Sequence, residues 1–585
     1  MPMITFDGQT HRIPGVYHKE TVVQQGAGPL PDWMVPVVLS GADQGYPYDV
    51  NGKLYPQEGA RPIFDLVKTT GASSVLSGAE SEMAAAFAIA RRHGLPQGYC
   101  ICLSPLTRAT VIATSTGPVS EFTLYAESFG FLGGHIKVAV ATGALTITPV
   151  KRYARLTADA ATGATRLYLK DNGWLKIGST YEIGANNVSN AAITILDKGS
   201  ESDANGQIAY WVTLTAGLAG GVTAAQYAVI VEYAATQKEE SGTLTTGDQI
   251  VDWLNGSAST LLGAKKEATF SGAVPINVPE APLKEIAAWT TVTVGTSPDP
   301  TSSDYAALVT LMDDSGWDDF MLQTGKVPQA FLLVDSSSTV HATMRDWAIA
   351  KRGEGYPISI TTGCDWGDTD MSAANDTNPT FRANVLNSQD ILLMAGGLDY
   401  QAAYRSLAPA AYGRRVGGGV NHNLTNDDLF YEAIEYPWKE RTAGELTALL
   451  AGGVSTYSLS VHQAIRYRLV QGLSTLQTND QSWNEVTNDS PLVHQRDLAD
   501  FVLFTLGRDL DQFAVGTDGI AKEGVKAICV RRATQLLKRG YITSWGIESI
   551  SLNATGAGWD VIWSIKLPVT TDYITLHTQI VIGED

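Results

Sequence analysis

Between residues 151 and 236 this 585-residue chain abandons one structural grammar for another. Short runs alternating apolar and polar residues follow one another at 155–157, 164–170, 180–184, 192–196, 208–215 and 227–233, with Gly-, Asn- and Asp-rich turns between them. No amphipathic helical pattern intervenes. Period-2 alternation broken by turn residues specifies half-buried antiparallel strands. A helix-free series of them reads as an all-β barrel or sandwich. The flanking sequence follows other rules, so the chain is multidomain. Its length agrees, because single cores stop growing at roughly 250–300 residues.

Both flanks read as α/β. Residues 33–40 are apolar with Pro36 inside, which points to a sheet edge or a strand start. Ser77 and Glu80 have capping-box spacing ahead of the Ala-rich helix 83–92, closed by His93 and Gly94. Strands are expected at 100–103, 121–126 and 135–140. Ser302 opens a helix that ends at Gly316. The runs 331–334, 338–351 and 357–361 then have the lengths of a βαβ unit. A strand at 391–394, a capping box at Thr442 and Glu445, helices from Pro491 and over 519–539, and a hairpin at 546–552 and 559–566 complete the pattern. The fold class is therefore α/β (α+β) multidomain, with an α/β core drawn from both halves, an inserted all-β domain and extended terminal arms. The expected divisions are an arm at 1–30, α/β parts at 31–150 and 237–385, the β insertion at 151–236, a further α/β domain at 386–570 and an arm at 571–585.

The search for chemistry is short. Lys+Arg 41 against Asp+Glu 60 leaves −19, which argues against broad nucleic-acid or anionic-membrane binding. Cys100 and Cys102 share one strand face and read as small buried hydrophobes rather than a metal or redox pair. The amino terminus lacks a signal peptide's basic and apolar regions, and no apolar run approaches the ~18 residues that span a bilayer. A soluble protein made in a reducing compartment is expected. Asp365, Asp368 and Asp370 lack EF-hand spacing and read as a solvated loop. The Gly-rich run 413–419 could cradle a phosphate but follows no strand, so a tight turn is preferred. No catalytic, cofactor-binding or metal residue is expected.

Several motifs, in order, resemble the contractile tail sheath family of bacteriophages and related injection machines. Ile13-Pro-Gly-Val-Tyr17 is similar to that family's opening arm, and residues 126–138 to its Gly-rich segment leading into an apolar strand, with Gly134 where Asn is usual. Residues 298–308 resemble the entry to its βαβ unit, 406–414 its small-residue helix, and 455–476 its paired strands. Val530-Arg-Arg532 resembles its Arg-Arg helix, and Leu567-Pro-Val569 with Tyr573-Ile-Thr-Leu576 its terminal linker and strand. The matched pieces cover 13–145 and 270–585.

The resemblance implies a non-enzymatic structural polymer: subunits stacked as six-fold rings around a tail tube, contracting to drive the tube through a host envelope for genome delivery. Its partners would be other copies of itself, the tube protein, and the baseplate and tail terminator proteins, without direct nucleic-acid binding or membrane insertion. Its place would be the virion's contractile tail, assembled in the host bacterial cytoplasm. The inter-subunit arms would be Gly15, Val16 and Tyr17 at one end and the alternating Ile574, Leu576, Thr578, Ile580 and Ile582 at the other. On a helical wheel over 519–539, Val525, Cys529, Ala533, Leu536 and Leu537 are set on one side, and Arg531, Arg532, Lys538 and Arg539 form an opposed cationic face expected to meet the tube. Two other readings stay open: another virion part such as a baseplate or capsid protein, and an α/β enzyme with a β accessory domain.

Overall fold

The structure, a computed structural model, describes residues 4–6, 9–11, 33–45, 66–69, 81–95, 98–104, 106–116, 119–202, 208–256, 259–334, 337–364, 378–399, 404–420, 422–425, 427–429, 442–460, 466–477, 491–513, 522–552 and 559–568. Gly15, Val16 and Tyr17, the run Ile574, Leu576, Thr578, Ile580 and Ile582, the proposed cap at Ser77 and Glu80, and Asp365 to Asp370 lie outside the described residues.

Helix and strand are mixed throughout. A six-stranded sheet forms the centre, in the order 391–394, 359–363, 330–333, 36–40, 98–102, 66–69. Its strands are parallel except 66–69, which runs against 98–102. Pro36 begins a central strand, so its missing N–H marks a strand start and not an edge. Alternation sorts the side chains into two cores. Val37, Leu39, Tyr99, Ile101, Phe331, Leu333 and Ile360 point to the layer of helices Ser302–Leu311, Trp317–Thr324, Ser338–Gly353 and Pro379–Leu386. Val38, Cys100, Cys102, Leu332, Leu392 and Met394 point to helices Glu82–Arg92 and Ala408–Gly418 and to the carboxyl-terminal helices. All four cysteines are buried.

Four details differ from the sequence reading. The strand Ile391–Met394, expected in the domain 386–570, forms the edge of the central sheet beside Ser359–Gly363. The expected helix 302–316 does not stop at Gly316; it passes through a π-turn at Met312–Gly316 and continues to Thr324. The glycines 413 and 417 make neither a phosphate cradle nor a tight turn. They lie in helix Ala408–Gly418 where it crosses Glu82–Arg92, and a Cβ there would stand 2.2 Å from the Ala90 carbonyl oxygen and 2.3 Å from that of Gly94. Antiparallel structure also extends beyond 151–236. Strands Arg108–Ser115, Val119–Gly130, Leu262–Lys266 and Thr290–Thr293 form one sheet, and Lys137–Ala141, Ala144–Thr148, Glu239–Thr243 and Val278–Pro282 another. They enclose Val111, Phe122, Val138, Ile147 and Leu254.

The insertion is a six-stranded antiparallel sheet in the order 150–155, 229–233, 180–185, 188–202, 208–214, 166–169. A bridge between Leu156 and Leu169 joins the two outer strands, closing it into a barrel. Its inward positions are Leu156, Leu167, Ile183, Ile195, Val212 and Ile230. Side chains tie it to the neighbouring sheets: Asn186 Nδ2 donates to the Gly295 carbonyl at 2.8 Å, and Lys284 Nζ to those of Ala185 and Val188.

Candidate assembly surface

The carboxyl-terminal unit is built from helices Val493–Phe513 and Lys522–Lys538 and the hairpin Ser544–Leu552 with Trp559–Lys566. The first helix is docked through its carboxylates, which are buried. Asp497 receives both Arg415 Nε, at 2.8 Å, and Arg415 Nη2, at 2.6 Å, from the small-residue helix. Asp500 is gripped by Arg352 of the βαβ helix, at 2.6 and 2.8 Å, and by Arg496. Burial alone would raise the Asp500 carboxyl, but Arg496 and Arg352 outweigh it and hold it below the usual range. Arg352 also binds Asp390, yet there burial wins and the carboxyl is raised. These pairs join the helix to the central sheet, so the carboxyl-terminal unit and the sheet are one packed body.

Asp509 is the third buried carboxylate of this helix, and its partner is Arg532 of the second helix. Arg532 is 0 % exposed and donates to both Asp509 oxygens and to Gln535. The expectation that it belongs to an outward cationic face is therefore wrong. It lies with Val525, Cys529, Ala533 and Leu536 on the inner side, because seven residues after Val525 a helix has returned to within about 20° of its starting direction. Leu537, expected inside, is 41 % exposed. The structure leaves Lys538 and Arg539 exposed at the helix end and Arg531 half-buried beside them.

The hairpin lies over these helices. Trp545, Ile547, Trp559, Val561, Trp563 and Ile565 face inward against Leu506, Val525, Cys529, Leu536 and their neighbours. Asp560, Ile562, Ser564 and Lys566 alternate outward, with Ile562 56 % exposed. Among the described residues no third strand pairs with either member. Among the described residues, two strands of nine and eight residues thus leave their outer backbone edges unpaired while one face is anchored. An open edge is a template for another strand. Sequence reading found the hairpin but not its open edges, since pairing partners are not written in either strand. Among the described residues no group of three or more His, Cys, Asp or Glu could hold a metal ion.

No family model matches this sequence, and no curated protein does. Solved structures do match. A sheath tail protein of Desulfitobacterium hafniense aligns over 95 % of this chain and 100 % of its own, at 12 % identity and a TM-score of 0.50. This chain has the sheath tail protein fold. A sheath tail protein of Listeria innocua aligns over 94 % of each chain, again at 12 % identity and a TM-score of 0.50. The contracted helical sheath of the anti-feeding prophage aligns over 49 % of this chain at 11 % identity and a TM-score of 0.36. At 12 % identity the first two share the fold with this chain but few of its residues.

Proposed function

We propose that this chain is a structural, non-enzymatic subunit of a contractile tail sheath. It polymerises in stacked six-fold rings around a tail tube and contracts to push the tube through a host envelope. The observation that carries this reading is the anchored hairpin with two open edges, set in a chain of sheath tail protein fold along nearly its whole length. The arms at 1–30 and 571–585 would each add a strand to a neighbour's hairpin. Backbone pairing suits this task, because it survives the sliding of rigid bodies that contraction demands. The tube-facing element would be the end of helix Lys522–Lys538, through Arg531, Lys538 and Arg539 and without Arg532. Exposed pairs worth ~0–1 kcal/mol each hold reversibly and add up over many subunits. The partners would be further copies of the chain, the tube, the baseplate and the terminator, within the virion after assembly in the host cytoplasm.

Electron microscopy of the purified full chain tests this directly, the expected particles being striated hollow tubes. Deleting residues 571–585 should leave a folded, monodisperse monomer that forms none. Tubes from the truncated chain would remove the carboxyl-terminal arm from assembly. A full chain that forms no polymer with or without purified tubes would sink the reading.

A further inference from the structure

The central sheet reverses its winding between strands Pro36–Ser40 and Ala330–Leu333, whose connections lead to opposite sides. In open α/β sheets the crevice beyond the carboxyl ends of two such strands is where ligands are usually taken. Here the crevice measures about 250 Å³ and is lined by Ser40, Asp43, Glu82, Arg155, Asp299 and Tyr305. Five of these belong to the body. Arg155 comes from the inserted barrel, on strand Val150–Arg155.

We propose that Asp43 and Arg155 form a latch that locks the barrel to the body, so that the two move as one rigid piece. Arg155 Nη1 lies 3.1 Å from Asp43 Oδ1 and 3.6 Å from Asp299 Oδ1. Tyr153, two residues back on the same strand face, donates its hydroxyl to Asp43 Oδ2 at 2.7 Å. Asp43 is 5 % exposed, so both of its oxygens are spent on the barrel in a nearly dry site. The body is shaped to hold it there. Ser297 Oγ donates to the Asp43 carbonyl at 2.6 Å and accepts from the Phe131 N–H. Gly130 (φ 112°) turns the chain so tightly that a Cβ would stand 2.3 Å from that same carbonyl oxygen.

Aromatic rings close the seam. Phe131 stacks on Tyr227 of the barrel at 5.3 Å, meets Tyr153 edge-on at 5.8 Å, and lies 5.8 Å from the Arg155 guanidinium. Tyr227 takes a left-handed backbone (φ 55°), a costly choice for a non-glycine, and its ring lies flat on Phe131. Lys170 of the barrel reaches Glu82 at 2.6 Å across the same crevice. The chain passes between barrel and body at two points, before Val150 and after Tyr233. Without side-chain contacts, two such connections would permit a swing. Asp43 stands three residues past Ser40, so the latch passes any displacement of the central strand to the barrel. This inference rests on the seam and is independent of the assembly reading.

Hydrogen exchange on the full chain tests it with Arg155→Gln and the gentler Tyr153→Phe. Amides 131–135 should exchange about tenfold faster with Arg155→Gln and a few-fold faster with Tyr153→Phe, since this turn is buried against Tyr153, Val229 and Val231 of the barrel and meets water when the seam opens. Amides inside the barrel (Ile183, Val212, Ile230) and in the central sheet (Leu332, Ile360) should keep their rates. Unchanged rates at 131–135 in both variants would overturn the latch. Equal acceleration inside the barrel, or failure of the Arg155→Gln chain to fold, would also overturn it, because the pair would then belong to the fold itself.

Discussion

Arg532 shows what a single residue carries that its neighbours do not. Arg531, Arg532, Lys538 and Arg539 look alike in sequence, yet only Arg532 is sealed against a carboxylate, that of Asp509. Removing one partner of a buried pair strands the other charge, at a cost of about 3–5 kcal/mol. Arg532→Ala should therefore lower the melting temperature sharply, while Arg539→Glu, at an exposed helix end, should move it little. Near-equal melting curves for the two would contradict the buried pair. The distinction was legible in principle, from the position of 532 within the Val525–Cys529–Leu536 stripe. What hid it was chemical type, because an arginine is assigned to solvent unless its acceptor is known, and Asp509 is on another helix. His93 adds a pH dependence. Burial drives its pKa down to about 4 despite the bond from Nδ1 to the Ile89 carbonyl, which favours the charged form. The native state thus holds a neutral ring that the unfolded chain protonates below ~6.5. Its contribution is intact above that pH and is lost as pH falls from ~6.5 to about 4, amounting to about 3 kcal/mol. A pH series of denaturant midpoints should show this loss, and His93→Gln should flatten it.

At the level of elements, local chemistry was legible and pairing was not. Thr442 and Glu445 form the expected capping box, each serving the other's backbone N–H at 3.2 and 2.8 Å. The expected βαβ unit is present as Ala330–Leu333, Ser338–Gly353 and Ser359–Gly363. Such signals depend on residues three or four apart. The crossing of helices Glu82–Arg92 and Ala408–Gly418 depends on residues more than 300 positions apart, and so its glycines read as a turn. Their real role is to let two backbones touch. Tyr412, beside Gly413, exploits the closeness: its hydroxyl accepts from the Val37 N–H and donates to the Ala330 carbonyl, stapling the starts of the two central strands. Gly413→Ala should force the helices apart and destabilise the chain by about 1–3 kcal/mol, as overpacking does. Unchanged stability would show that the crossing tolerates a methyl group.

In the whole molecule, the central sheet joins Pro36–Ser40 to Ala330–Leu333 only after the chain has built two β units between them. Non-local pairing of this kind slows folding, because a long loop must close before its contacts are made. Refolding from denaturant should therefore be slow and should lose yield as concentration rises. Rapid refolding that is independent of concentration would argue against late closure of the sheet. The same topology acts as a clock during synthesis. At ~5–20 residues per second, the strand Pro36–Ser40 pairs early with Gly98–Cys102 but waits roughly 15–60 s for Ala330–Leu333 on its other side. The hairpin, whose outer edges are unpaired among the described residues, emerges last of all the described elements. A ribosome making this chain therefore completes the hairpin only after the central sheet and both β units have emerged, so its strands meet helices that are already in place.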